Sequence, residues 1–199
     1  GQSRLAAELT GLGHVTFGSR EEMEALFRPD AEALLEQRSE LIDKKIETLD
    51  QWTPEQGTDA VRAALRTSAT GMLSLNDEQI ADLAIALAHS KVLDSSLATA
   101  ATPDSPLSKA ASRLWQALAR ALPVPERAEA ACLAGFAAYQ GGDGAMARIA
   151  LDVALDANPS HVLSGLLDRA LSHGFHPREL RALAQHDEIG LCAQLRAAA

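Results

Sequence analysis

Apolar residues recur every three or four positions along most of this chain, a spacing that predicts amphipathic α-helices. The longest stripe follows Asp30, which we expect to cap the helix that carries it. Two further stripes follow Asn76 and the pair Ser105-Pro106. The members of the three stripes are, in chain order, Leu34, Leu35, Leu41, Ile42 and Leu49; Ile80, Leu83, Ala84 and Leu87; and Leu107, Leu114, Trp115 and Leu118.

Capping residues and helix-breaking residues divide the chain between these stripes. A hydroxyl or amide residue three positions ahead of Glu or Gln is typical of a helix start. This pattern occurs at Ser19, Thr53 and Asn76. Pro123-Val124-Pro125 then separates a first series of helices from a second. Residues 15–17 alone favour an extended strand, and one strand cannot form a sheet. The pattern therefore predicts an all-α fold of about ten helices with short links.

Composition supports the same fold class. The 199 residues include 39 Ala and 30 Leu but six Val and six Ile. Alanine and leucine are strong helix formers, whereas β-branched residues are typical of strands. The composition therefore excludes an all-β fold and argues against a parallel α/β sheet, whose buried strands are rich in valine and isoleucine.

Net charge and cysteine content limit the partners and the cellular compartment that we expect for this protein. The net charge is −9, and residues 21–59 carry twelve acidic and four basic side chains. With aromatic residues at 4%, the chain lacks the basic and stacking surfaces that nucleic acids require. The longest nearly uncharged run, residues 130–139, is too short to span a membrane. We expect a cytoplasmic protein in which Cys132 and Cys192 are free and buried, with a disulfide between them as the alternative.

The second series of helices contains a degenerate repeat. We expect helices over residues 126–140, 145–157, 160–172 and 187–197. A glycine-rich turn joins the first two, and they follow the 34-residue tetratricopeptide pattern, in which small residues stand where paired helices cross. One and a half repeats cannot form a long solenoid, so a simple helix hairpin remains an equal alternative to a peptide-binding groove. The positions that carry the pattern are Gly135, Gly142, Asp143, Gly144, Ala147, Leu151, Ala154 and Pro159.

Residues 139–159, from Tyr139-Gln140-Gly141-Gly142-Asp143-Gly144 to Asn158-Pro159, resemble the C-terminal signature of an actinobacterial family, the domain of unknown function 4192. Three other segments agree with it: residues 19–22, residues 82–94, and residues 114–120 around Trp115. The resemblance implies a preceding α/β region, which fits a chain that begins without methionine. It implies no activity.

The residues offer little support for a metal site, a phosphate loop or acid–base catalysis. His173 and His176, with Glu179, His186 and Cys192 downstream, could in principle hold a metal, but helix capping explains the two histidines more simply. The glycine-rich turn follows a helix and lacks the lysine of a phosphate loop. The acidic side chains of residues 21–59 are expected on a solvated face, with Glu40 and Lys44 paired. We therefore predict no catalytic, cofactor or metal residues.

The sequence thus predicts two helical regions, residues 1–101 as an acidic bundle and residues 102–199 as a tetratricopeptide-like region, with one continuous domain as the alternative. The predicted function is a protein-interaction or scaffolding module without catalysis of its own, which binds a separate protein or its own preceding domain. The alternative is the helical accessory half of an enzyme whose catalytic α/β domain lies outside this segment. Self-association through the acidic helix that follows Asp30 is a third possibility.

Overall fold

The computed structural model describes residues 19–179. These residues form nine α-helices and one short 3-10 helix, and no strand occurs among them. The all-α prediction is therefore confirmed. The predictions made for residues 15–17, His186, Cys192 and residues 187–197 lie outside the described residues.

Short turns connect the helices. In chain order the helices are α1 (Arg20–Ala25), α2 (Glu32–Glu47), α3 (Pro54–Ala69), α4 (Asp77–Ala88), α5 (Ser90–Leu97), the 3-10 helix (Ala98–Ala100), α6 (Pro106–Ala121), α7 (Arg127–Gln140), α8 (Gly144–Ala157) and α9 (Val162–Ser172).

Helix capping follows the sequence at four of the predicted starts. Ser19 accepts a hydrogen bond from Glu22 N at 3.3 Å, and Ser105 accepts one from Ser108 N at 3.1 Å. Thr53 and Asn76 form complete capping boxes. In each, the cap side chain accepts from the backbone N–H of the glutamine three residues later, and the cap's own N–H donates to that glutamine's Oε1. Each cap satisfies amide groups that a helix leaves unpaired at its first turn.

The predicted start of α2 is wrong. The residue before the helix is Ala31, which makes no side-chain capping bond, and the Asp30 carboxylate instead accepts a hydrogen bond from Arg38 Nη1 at 2.8 Å. Leu34 remains exposed, whereas Arg38 is buried on the inner face with Ile42. The ion pair between Asp30 and Arg38 therefore takes the place of the predicted cap.

Arg38 joins α2 to three other parts of the fold. Its Nε donates to Asp77 Oδ1 at 2.9 Å, at the first residue of α4. Its Nη1 donates to the Ala121 carbonyl at 2.9 Å, at the end of α6, as well as to Asp30. Burial lowers the pKa of Arg38, but the hydrogen bonds to Asp30 and Asp77 outweigh it and leave the pKa raised.

The acidic side chains of residues 21–59 are exposed, as predicted, apart from that of Asp30, which is half-buried, but the ion pairs differ from the prediction. Among residues 19–179, no ion pair joins Glu40 to Lys44, and the neighbouring Lys45 pairs with Glu78 at 2.6 Å and with Asp82 at 2.9 Å. These contacts tie α2 to α4. The lysine that pairs is the one that tertiary packing brings beside two carboxylates.

Three local features differ from the sequence pattern. Helix α5 was not predicted as a separate element, although four of its eight residues are buried. Leu107, placed in the buried stripe of α6, is exposed because it lies in the first turn of that helix. Helix α9 begins at Val162 and is capped by His161, whose ring nitrogen accepts from Ser164 N at 3.2 Å, so the start predicted at Ser160 is two residues early.

Buried apolar side chains from Phe27, which follows α1, to Leu167 of α9 form one connected core. Trp115 of α6 has 1% of its surface exposed, and α7 and α8 contribute eight of the buried alanines. The core includes residues on both sides of position 101, and the division into two regions there stays a prediction. Of the helices in residues 19–179, none combines the length and the apolar character needed to cross a membrane.

Candidate functional site

The turn between α7 and α8 has the conformation that its glycines predicted. Gly142 has a φ of +81°, and the backbone N–H groups of Gly142 and Asp143 donate to the carbonyls of Tyr139 and Ala138 at 3.1 and 2.9 Å. This is a Schellman motif, in which a left-handed residue satisfies the last carbonyls of a helix. Asp143 then caps α8 by accepting from Met146 N at 3.0 Å. The turn therefore ends one helix and starts the next within three residues.

Helices α7 and α8 approach each other closely because small residues lie where they cross. A Cβ atom added at Gly135 would stand 3.1 Å from the Leu151 side chain and 3.4 Å from the Ala150 Cβ. Ala147 and Ala154 of α8 have no exposed surface, and Leu151 has 2%. Small residues at Gly135, Ala147 and Ala154 thus leave room for the close approach of the two helices. Their assignment to a tetratricopeptide repeat stays a prediction.

An open cavity of about 730 Å³ lies beside this turn. We call it the turn groove. It is lined by the loop of residues 101–104, the end of α7 and the turn itself (residues 139–142 and 144), and residues 176–178. Charged and polar groups on its lining include Asp104, His176 and Arg178. Of the predicted motif residues, Gly142 and Gly144 contribute to it, whereas Trp115 lies in the core and Pro159 lies exposed between α8 and α9.

Tyr139 connects the turn groove to the chain that follows α9. Its hydroxyl donates to the Phe175 carbonyl, and Phe175 itself is 53% exposed. Burial, followed by the nearby charge of Glu179, raises the pKa of Tyr139. The tyrosine therefore stays a neutral donor and fixes residues 175–178 against the end of α7.

A buried polar cluster joins α7 to α9 at another place, and the sequence analysis missed it. His161 Nε2 lies 2.7 Å from Glu129 Oε2, and His161 Nδ1 lies 2.7 Å from Ser164 Oγ. Because Nδ1 also accepts from Ser164 N, the arrangement is consistent when Nε2 carries the proton and donates to Glu129. The signal in the sequence was a histidine directly before a helix, where Nδ1 can act as a cap.

The order carboxylate, histidine, serine in this cluster resembles a hydrolytic triad, but its geometry serves packing. Ser164 has no exposed surface and His161 has 8%. A nucleophile must reach a substrate carbon, and in this conformation the serine oxygen is enclosed. The cluster therefore fixes the first turn of α9 against α7.

Cys132 completes the same cluster. It is a free thiol without exposed surface, and burial raises its pKa to about 12, while a hydrogen bond with Ser164 acts in the opposite direction. A thiol with such a pKa stays protonated and is a poor nucleophile. The prediction that Cys132 is free and buried is confirmed.

His173 and His176, the two candidate metal ligands, make local contacts. His173 Nδ1 lies 2.7 Å from the Arg169 carbonyl at the end of α9, and His176 Nδ1 accepts from Arg178 N at 3.2 Å. Across residues 19–179, no group of three or more His, Cys, Asp or Glu side chains has an arrangement that could hold a metal ion.

A family model described as Domain of unknown function (DUF4192) matches residues 1–178. The chain belongs to that family. The match includes every segment on which the resemblance rested, from Ser19 to Pro159. The description of the DUF4192 family names no activity, and the match leaves the actinobacterial source and the tetratricopeptide-like pair as predictions. No curated protein and no solved structure matches the chain.

Proposed function

We propose that this DUF4192 chain is a protein-interaction module that binds a peptide segment of its partner in the turn groove. The observation that carries the proposal is the size and position of the groove. About 730 Å³ is within the range of specific ligand sites. The groove is also built by the glycine-rich turn that carries the family resemblance most specifically.

The lining of the turn groove suits an extended peptide. Arg178 offers a charged fork for a carboxylate and Asp104 offers an acceptor for amide or basic groups. Gly141, Gly142 and Gly144 carry no side chains, so a ligand can approach the backbone of the turn closely. Phe175 directly precedes the lining segment of residues 176–178 and is 53% exposed. It provides an apolar contact of the kind that such an interface requires.

Site-specific photo-crosslinking in cells of the source organism tests the proposal. A photoreactive residue replaces Thr102 at the groove in the full chain, and Glu36 on the outer face of α2 in a matched control. We expect one protein to be crosslinked from position 102 and not from position 36. The same protein crosslinked equally from both positions would overturn the proposal.

Binding of the purified crosslinked partner provides the second measurement. Arg178→Glu reverses a charge in the groove, and Arg66→Glu reverses an exposed charge on α3 as the control. We expect the first substitution to weaken binding at least fivefold and the second to leave it unchanged, since loss of a charged hydrogen bond costs ~1.5 kcal/mol or more. Equal affinities for the two variants would contradict the groove as the binding site.

A further inference from the structure

A second open cavity, about 580 Å³ in volume, lies away from the turn. It is bounded by α1, the residues that follow α1, the first residue of α7 and one side of α8. We call it the Arg127 groove. Its lining combines the charged side chains Glu21, Glu24, Arg28 and Arg127 with an apolar wall that includes Ile149 and Val153.

Arg127 is held in this groove without a charged partner. Its Nη2 donates to the Phe27 carbonyl at 2.7 Å, but its Nε is buried and makes no hydrogen bond. Burial lowers the pKa of Arg127, and the charge of Asp156 offsets this only in part. No carboxylate of residues 19–179 makes an ion pair with it. A partly desolvated guanidinium with an unused donor is costly unless an acceptor completes it.

The other charges on the lining leave a place for one anionic group. Arg28 is exposed and forms no ion pair with any residue from 19 to 179. Glu24 is neutralised by Arg20, whose Nε lies 2.7 Å from its carboxylate, so Glu21 is the remaining acid on the lining. Arg127 is also the first residue of α7, where the helix dipole favours negative charge.

We propose that the Arg127 groove binds a carboxylate carried on an apolar body, with the carboxylate between Arg127 and Arg28 and the body against Ile149 and Val153. The planar fork of a guanidinium matches a carboxylate. An inorganic phosphate ion would leave the apolar wall of Ile149 and Val153 without a contact. The carboxylate could belong to a free acid or to the C-terminus of a peptide. The site is separate from the turn groove and does not depend on its function.

Methyl NMR of the full chain tests the proposal with three probes. These are hexanoate, a short acetylated peptide that ends in leucine with a free carboxylate, and the same peptide as its carboxamide. We expect the methyl signals of Ile149 and Val153 to shift with at least one carboxylate probe, while those of Val61 and Ile80, in α3 and α4, stay in place. The better of the two carboxylates identifies the source of the ligand. The proposal fails if no carboxylate shifts these signals, or if the carboxamide shifts them equally.

Substitutions test whether carboxylate binding depends on Arg28 and Arg127 themselves or only on the net charge of the chain. Arg28→Gln removes an exposed cation of the groove, and Arg66→Gln removes an exposed cation of α3 as the control. We expect Arg28→Gln to weaken carboxylate binding about fivefold and Arg66→Gln to leave it unchanged. Arg127→Lys keeps the charge but loses the fork, and should weaken binding at least tenfold. If Arg127→Lys does not fold, Arg28→Gln decides the matter, and equal binding by the two Gln variants would overturn the proposal.

Discussion

Gly57 allows α3 to pack closely against Trp52, α4 and α5. It lies in the first half of α3, where an added Cβ would stand 2.8 Å from Trp52 Cζ2, 3.0 Å from Val92 Cγ2 and 3.2 Å from Ala86 Cβ. Val92 and Ala86 are fully buried, and the Trp52 ring lies against the His89 ring with centroids 5.6 Å apart. None of these neighbours can move away without disturbing its own contacts.

Gly57→Ala should therefore destabilise the protein. Overpacking of a filled site costs about 3 kcal/mol at the upper end of its usual range. Alanine recovers about 1 kcal/mol of helix propensity relative to glycine. The net loss is about 2 kcal/mol, which lowers the melting temperature of a chain of this length by about 4–8 °C.

Gly165→Ala is the matched control, because Gly165 also lies within a helix but has no heavy atom within 4 Å of an added Cβ. It should gain up to ~1 kcal/mol from helix propensity alone. Urea unfolding followed by circular dichroism at the helical band measures both variants. A Gly57→Ala variant as stable as the wild type, or stabilised like Gly165→Ala, would refute the steric reasoning.

Three further predictions concern charged and reactive side chains. Arg38→Met should lower the free energy of unfolding in urea by about 3 kcal/mol, because it leaves a carbonyl and two carboxylates without their donor. Arg62→Met, at an exposed ion pair, should lower it by less than ~1 kcal/mol. Equal losses would contradict the role of Arg38. In a Cys192→Ser background, Cys132 should react with a thiol reagent at pH 8 only after denaturant is added, since its pKa of about 12 and its burial protect it; rapid reaction of the native protein would contradict the packing. The hydrogen bonds that Lys45 donates to Glu78 and Asp82 raise its pKa, so its contribution to stability is complete below the unfolded pKa of ~10.4 and is lost as pH rises through the folded value. Lys45→Met should therefore show a smaller loss of stability in alkaline titrations than the wild type, and an unchanged loss would exclude this contribution.

Interactions within one or two turns of the chain could be predicted from the sequence. The capping boxes at Thr53 and Asn76 depend on residues three positions apart, and the positive φ of Gly142 follows from a glycine-rich turn between two helical patterns. The fold class followed from the same local patterns. Where the interacting residues are close along the chain, the structure therefore agrees with the sequence pattern.

Contacts between distant segments could not be predicted in this way. Arg38 binds Asp77 and the Ala121 carbonyl, 39 and 83 residues away, and its ion pair with Asp30 replaces the cap expected there. The turn groove depends on residues 101–104 and 176–178 meeting at the end of α7. No spacing along the chain encodes that meeting. The sequence therefore predicted the glycine-rich turn of the candidate site, but not the distant residues that line the groove beside it.

The attachment of α2 has a consequence for how the protein opens. Two side chains of this sixteen-residue helix are buried, Arg38 and Ile42, so the helix depends on directed polar contacts more than on apolar area. Such an element forms a cooperative unit of its own and unfolds locally at less than the global free energy. In native-state hydrogen exchange, the amides of α2 should exchange before those of α7, ten of whose fourteen residues are buried. Exposure of the inner face of α2 would then be a partial unfolding event that leaves the α7–α8 pair intact.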